Sequence, residues 1–142
     1  ESDFAQAIDV HFNPDWQYSC EQDQMKFLKD SGKHLCKLID AGTAVCIGAF
    51  QDDKLTAVVE MYYNDTLCIL DSVVTGRDHR RQGICSSLVH YASQYALTQL
   101  NCQTLILEAD EEYHAAKIYE SIGFRPTEKL YRLEWYDKSK FQ

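Results

Sequence analysis

The stretch His79-Arg80-Arg81-Gln82-Gly83-Ile84-Cys85-Ser86-Ser87-Leu88 places two arginines and a glycine where an extended run turns into a helix. A helix start offers unpaired backbone N–H groups and the positive end of the helix dipole, which together suit a phosphate or pyrophosphate. Gly83 permits close backbone approach, and Arg80 and Arg81 carry charge at every physiological pH. The dinucleotide fingerprint GxGxxG and the P-loop GxxxxGK with Ser or Thr are both absent, so neither a Rossmann cofactor site nor an NTPase site is supported, and the expectation is a phosphate or pyrophosphate cradle. A solvated loop leading into an ordinary helix is the competing reading of the same residues. The second candidate chemistry is acid–base. Asp71 lies inside LCILDSVV, where a carboxylate is costly to bury unless paired or functional, and Glu60 and Glu108 at or near the ends of apolar runs are its rivals.

These residues need elements to position them. Strict alternation puts Ile69, Asp71, Val73 and Thr75 on one face of a strand. That strand, Thr66 to Thr75, follows Thr43 to Phe50 and Leu55 to Tyr63, all rich in Val, Ile, Tyr and Thr, and the short polar separators predict an antiparallel meander. From Ile84 to about Leu100 the residues Ile84, Leu88, Tyr91, Ala92, Tyr95 and Ala96 mark one helical face, and QTLILE (103–108) reads as a strand. Asp110 is a plausible N-cap for the next helix, with Glu111 and Glu112 in its first turn and Gly123 ending it before Pro126. LYRLEWY (130–136) closes as an alternating strand. Upstream, Glu21 to Ala41 has helical spacing with a break expected at Ser31-Gly32, and residues 1–20 read as irregular with a short strand at Ala7 to His11.

The totals narrow the function. A chain of 142 residues, 45% apolar and 25% charged, is expected to be one folded domain over 1–142. A net charge of −8 disfavours nucleic acid or an anionic membrane as a general partner, though a local basic patch can still serve one anion. The six cysteines, at 20, 36, 46, 68, 85 and 102, lack CxxC spacing and read as small buried hydrophobes, which implies a reducing, cytoplasmic setting without metal. No apolar run approaches the ~20 residues of a membrane span. ESDFAQAIDV carries no signal pattern and no initiator methionine, leaving open whether residues precede Glu1.

Motif and element order together resemble a family. Arg80-Arg81-Gln82-Gly83-Ile84-Cys85 is similar to the Gln/Arg-x-x-Gly-x-Gly/Ala pattern of the GNAT superfamily, the acetyl-coenzyme A (acetyl-CoA) dependent N-acyltransferases, and His114-Ala115-Ala116-Lys117-Ile118-Tyr119-Glu120-Ser121-Ile122-Gly123-Phe124 resembles its Ala-x-x-Leu-Tyr-x-x-x-Gly-Phe segment. Cys85 departs from the usual Gly or Ala, Arg77 stands where proline is common, and Glu112 lies near an expected asparagine. The resemblance implies an α/β (mixed α+β) fold: a central mixed, mostly antiparallel sheet of about six or seven strands, with helices on both faces. It implies transfer of an acetyl group from acetyl-CoA to a primary amine of a small molecule or peptide. The backbone from Gln82 through Gly83, Ile84, Cys85 and Ser86 to Ser87 would hold the pyrophosphate beside Arg80 and Arg81. Val73, Val74 and Thr75 would bond the pantetheine arm and thioester carbonyl. Tyr119 takes the general-acid position, and Asp71 is a candidate base, acting directly or through water. The reading from another class is a non-catalytic acyl-CoA-binding regulatory module. Tyr131, Trp135 and Tyr136 leave three uses open: acceptor pocket, core, or the contact of a homodimer.

Overall fold

The computed structural model describes residues 2–12, 20–110, 114–131 and 133. Its elements run α1 (Ser2–His11), α2 (Glu21–Asp40), β1 (Ala44–Gln51), β2 (Lys54–Tyr63), β3 (Leu67–Thr75), a 3-10 turn (Arg77–His79), α3 (Ile84–Thr98), β4 (Thr104–Leu107) and α4 (Ala115–Ile122).

The first element is a helix, not the short strand expected at Ala7 to His11. Phe4, Ile8 and His11 fall at i, i+4 and i+7, a helical stripe that outweighs the β-branched residues Ile8 and Val10. The expected break at Ser31-Gly32 is also absent, because α2 runs unbroken for 20 residues. Gly32 serves packing instead: a Cβ there would lie 2.2 Å from Cε2 of Phe4, so the missing side chain lets α1 close on α2.

The meander forms as expected. Asp52 and Asp53 both adopt positive φ (48° and 63°), the geometry of a two-residue turn whose twist matches the β1–β2 hairpin. Between β2 and β3, the Asn64 side chain accepts from the N–H groups of Thr66 and Leu67. β1, β2 and β3 pair antiparallel and β3 pairs parallel with β4, giving the order β1-β2-β3-β4. Four strands are seen among the described residues, not six or seven. The closing strand expected over Leu130 to Tyr136 lies largely outside the described residues.

The main core lies on one face of the sheet, with Val58 and Ile8 buried on the other. Ala57, Val59 and Met61 of β2 with Cys68 and Leu70 of β3 pack against Leu88, Val89, Ala92 and Ala96 of α3 and Tyr119 of α4. The other face turns toward α1 and α2, where the Gln6 side chain accepts from the N–H of Leu55 at 2.8 Å. α4 ends as anticipated at Gly123 (φ 117°), but its N-cap is His114 rather than Asp110. Cys68 and Cys102 are buried, whereas Cys20, Cys36 and Cys46 are exposed, so half of the cysteines are not the core residues they resemble; all six are free thiols. No helix among the described residues is long and apolar enough to cross a membrane.

Candidate active site

Two irregularities in β3 shape the site. The first is a bulge. Glu60 pairs with Asp71 and Val58 with Val74, so three steps on β3 answer two on β2, and Ser72 takes φ 46°. Alternation therefore resets within the strand. Asp71 joins the face of Val58, Glu60 and Tyr62, while Thr75 pairs with Ala57 on the core face. The expectation that Asp71 shares a face with Val73 and Thr75 is overturned by this one extra residue. Nor is Asp71 buried: it is exposed, and its Oδ1 accepts the Ser72 N–H at 2.7 Å.

The second irregularity is a parting of strands. The parallel ladder joins Leu67–Leu70 to Thr104–Leu107 and stops, while β3 continues to Thr75. Among the described residues, the stretch from Asp71 through Val73 and Val74 to Thr75 thus has β2 on one side and no ladder on the other.

Past Thr75 the chain turns into α3. Gly76 N–H donates to Thr56 O at 2.8 Å, and Arg80 Nε donates to Thr75 O at 3.1 Å, so Arg80 ties the loop back to the strand end. Gln82 Nε2 donates to Asp78 O at 3.3 Å. Arg81 and Gly83 both take left-handed φ, at 61° and 79°, which suits a concave run of backbone N–H groups. Gly83 is the N-cap of α3 and supplies no side-chain cap, and the first recurring bond is Ser87 N–H to Gly83 O. The N–H groups of Ile84, Cys85 and Ser86 precede that bond and have no partner within the helix. A Cβ on Gly83 would meet nothing within 4 Å, so its requirement is conformational and the space above it is open. Cys85 is half-buried. Burial pushes its thiol pKa up, and a bond with the Thr75 hydroxyl pulls the other way.

Tyr119 is 7% exposed, edge-on to Phe124 with ring centroids 6.5 Å apart, on the α3 side of the sheet. The opposite face carries a group of side chains that the sequence only partly disclosed. Tyr62 donates to Glu60 Oε2 at 2.5 Å, His11 Nε2 lies 3.9 Å from Glu60 Oε1, and Cys46 stands opposite Glu60 on β1. Burial first, then the bond to Glu60, then the charges of Glu60, Asp71 and Cys46 hold the Tyr62 hydroxyl well above the usual phenol range. The Cys46 thiol is pushed to about 11 by burial, Glu60 and Cys36. Glu60 was legible as a rival acid. Tyr62 could have been found as its same-face neighbour two residues on, but His11 was hidden by the mistaken strand. Glu108 lies exposed just past β4, away from any apolar burial.

The strand leaves its parallel neighbour, runs into a left-handed loop and opens a helix, in the order that the sequence resemblance implies. Residues 5–124 match the family model described as acetyltransferase (GNAT) family, and the chain belongs to that family. Over 83 residues it is 28% identical to the streptothricin acetyltransferase of Escherichia coli, a match covering 57% of this chain and 47% of that protein. The chain thus spans about half the length of that curated relative. Among solved structures, a transcriptional regulator from Bacillus halodurans C-125 superposes with a TM-score of 0.77 at 18% identity, covering 95% of each chain. AAC(6')-Iy in complex with the bisubstrate analog CoA-S-monomethyl-acetylneamine superposes with a TM-score of 0.70 at 13% identity, covering 96% of this chain and 94% of that one. At such identities the likeness is one of fold.

Proposed function

We propose that this chain is an N-acetyltransferase that takes the acetyl group of acetyl-CoA and passes it to a primary amine. The observation that carries this reading is the continuous path from the open edge of β3 at Val73–Thr75 into the left-handed loop Arg81–Gly83 and the first turn of α3. The residues fit a pyrophosphate: donors of Ile84, Cys85 and Ser86 lack helical partners, Gly83 leaves open space, and Arg81 is exposed beside them. Gln82 and Ser87 complete the cradle, and Arg80 holds its shape through Thr75 O. Cys85 replaces a smaller residue without removing a backbone donor.

When bound, acetyl-CoA supplies a thioester carbonyl open to attack by a neutral amine. Val73, Val74 and Thr75 orient the pantetheine arm with backbone groups left without a ladder partner in β4. Tyr119 returns a proton to the departing thiolate from the core side. A carboxylate of the facing pair Glu60 and Asp71 removes a proton from the amine on the other side. The acceptor is a small-molecule amine, a reading supported by the streptothricin acetyltransferase match and by the acetylneamine portion of the analog held by AAC(6')-Iy.

The decisive test has two parts. Titration with CoA should show binding that is lost with an analogue lacking the pyrophosphate. Free-thiol release from acetyl-CoA should then appear over a panel of amines. No heat of binding at millimolar CoA would end the proposal, whereas binding without thiol release from any amine would favour a regulatory module.

A further inference from the structure

The face of the sheet turned toward α1 and α2 carries titratable side chains that the donor cradle does not use: His11 from α1, Glu60 and Tyr62 from β2, Cys46 from β1 and Asp71 from β3, with Cys36 of α2 close enough to act on Cys46. Their hydrogen bonding is asymmetric. His11 Nδ1 lies 2.8 Å from Ala7 O, and a carbonyl only accepts, so Nδ1 carries the proton. In the neutral ring, Nε2 is then a bare acceptor, buried with no hydrogen-bond partner. It faces Glu60 Oε1, another acceptor, at 3.9 Å. Tyr62 donates to the other oxygen, Oε2, and fixes the carboxylate plane. Two acceptors held against each other, behind a carboxylate whose side chain is 17% exposed, make a place for a proton arriving from outside.

The location gives that proton a source. Glu60 is the register partner of Asp71, one step from the Ser72 bulge where β3 leaves β4. We infer that Glu60 is the catalytic residue that takes the proton from a cationic acceptor amine, with His11 and Tyr62 as its positioning residues. This rests on the acetyltransferase reading above. The ammonium gives one proton to Glu60 Oε1, where Nε2 of His11 stabilises it. The nitrogen–carbon bond forms as the carbon–sulfur bond breaks, and the thiolate takes the Tyr119 hydroxyl proton. The second nitrogen proton restores Tyr119, and Glu60 releases the first to solvent. Asp71 is the weaker candidate because it is exposed and its Oδ1 is occupied by the Ser72 N–H.

The test uses the full chain with neamine, spermidine and a lysine-containing tetrapeptide as acceptors. Glu60→Gln should lower kcat/KM for the best of them about a hundredfold or more while CoA binding stays as in the parent. Asp71→Asn should lose less than a tenth as much. His11→Asn, which keeps a donor for Ala7 O, should lower kcat while KM and CoA affinity stay as in the parent, a split that a merely structural role would not produce. Tyr62→Phe should lower the rate with CoA affinity intact. Parent-like turnover in a folded Glu60→Gln, or an equal loss in Asp71→Asn, overturns the inference while leaving CoA binding and the acetyltransferase reading in place. If Glu60→Gln fails to fold, a parent-like kcat in His11→Asn overturns it. So does a parent chain that binds CoA but releases thiol with none of the three amines. Absence of CoA binding in the parent removes the acetyltransferase reading itself.

Discussion

The two faces of the sheet differ in how they are built. Toward α3 and α4, Val59, Met61 and Cys68 are fully buried among apolar neighbours, and α3 opens with backbone N–H groups that no side chain caps. Toward α1 and α2, the same strands present Cys46, Glu60, Tyr62 and Asp71, with Glu60 bonded to Tyr62 and 3.9 Å from His11. On the proposed reading, one face would hold the donor by main-chain geometry and the other would meet the acceptor with titratable side chains. Such a division suits a donor whose diphosphate and pantetheine are constant and an acceptor that varies.

The largest effect expected on the core face is chemical. Tyr119→Phe should lower kcat by about a hundredfold or more with little change in CoA affinity or melting temperature, since the ring and its Phe124 contact remain. An unchanged kcat would leave the first face with binding alone. Next comes packing. Met61→Ala, at 0% exposure, should cost about 2–5 kcal/mol in urea unfolding, whereas Ile69→Ala on the opposite face, 40% exposed, should cost below about 1 kcal/mol. Equal losses would contradict the assignment of the core to one side. A smaller effect belongs to the cradle: Gly83→Val forces a β-branched residue to φ 79° at a cost of roughly 1–2 kcal/mol, so CoA affinity should fall about tenfold without loss of fold. The smallest effect is alkaline. Burial, with a further push from Cys102, raises the Cys68 thiol from about 9 to about 11. The folded chain keeps a proton that the unfolded chain releases, so this stability is whole below pH of about 9 and disappears as pH climbs through about 11. The urea midpoint of Cys68→Ala should therefore be lower than the parent's at neutral pH but should decline less steeply in alkali.

What sequence disclosed follows the same division. The meander, α3, β4 and the Gly123 stop were legible because apolar period and turn residues report local conformation. The loop at Arg80–Gly83 was legible because a helix start and a glycine are local features too. The group on the opposite face was legible only in Glu60, because His11 meets Glu60 across about fifty positions of chain, and its helix rests on Phe4 finding the gap at Gly32. Gly32 looked like a helix breaker because propensity sees the missing side chain and not the ring that fills its place. Asp71 was placed on the wrong face because alternation assumes an unbroken pleat.

The bulge at Ser72 acts as a parity bit. Before it the odd-numbered Ile69 and Asp71 lie on the side of α1 and α2, after it the odd-numbered Val73 and Thr75 lie on the core side, and both faces are satisfied because three steps from Asp71 to Val74 answer two on β2. Absorbing Ser72 into a regular pleat, with no residue left over, would oblige one half of β3 to turn inside out. Either Asp71 and Ile69 enter the core beside Leu88, or Val73 and Thr75 leave it. The placement of a charge on this protein thus depends less on which residue is charged than on how many residues stand between it and the end of the strand.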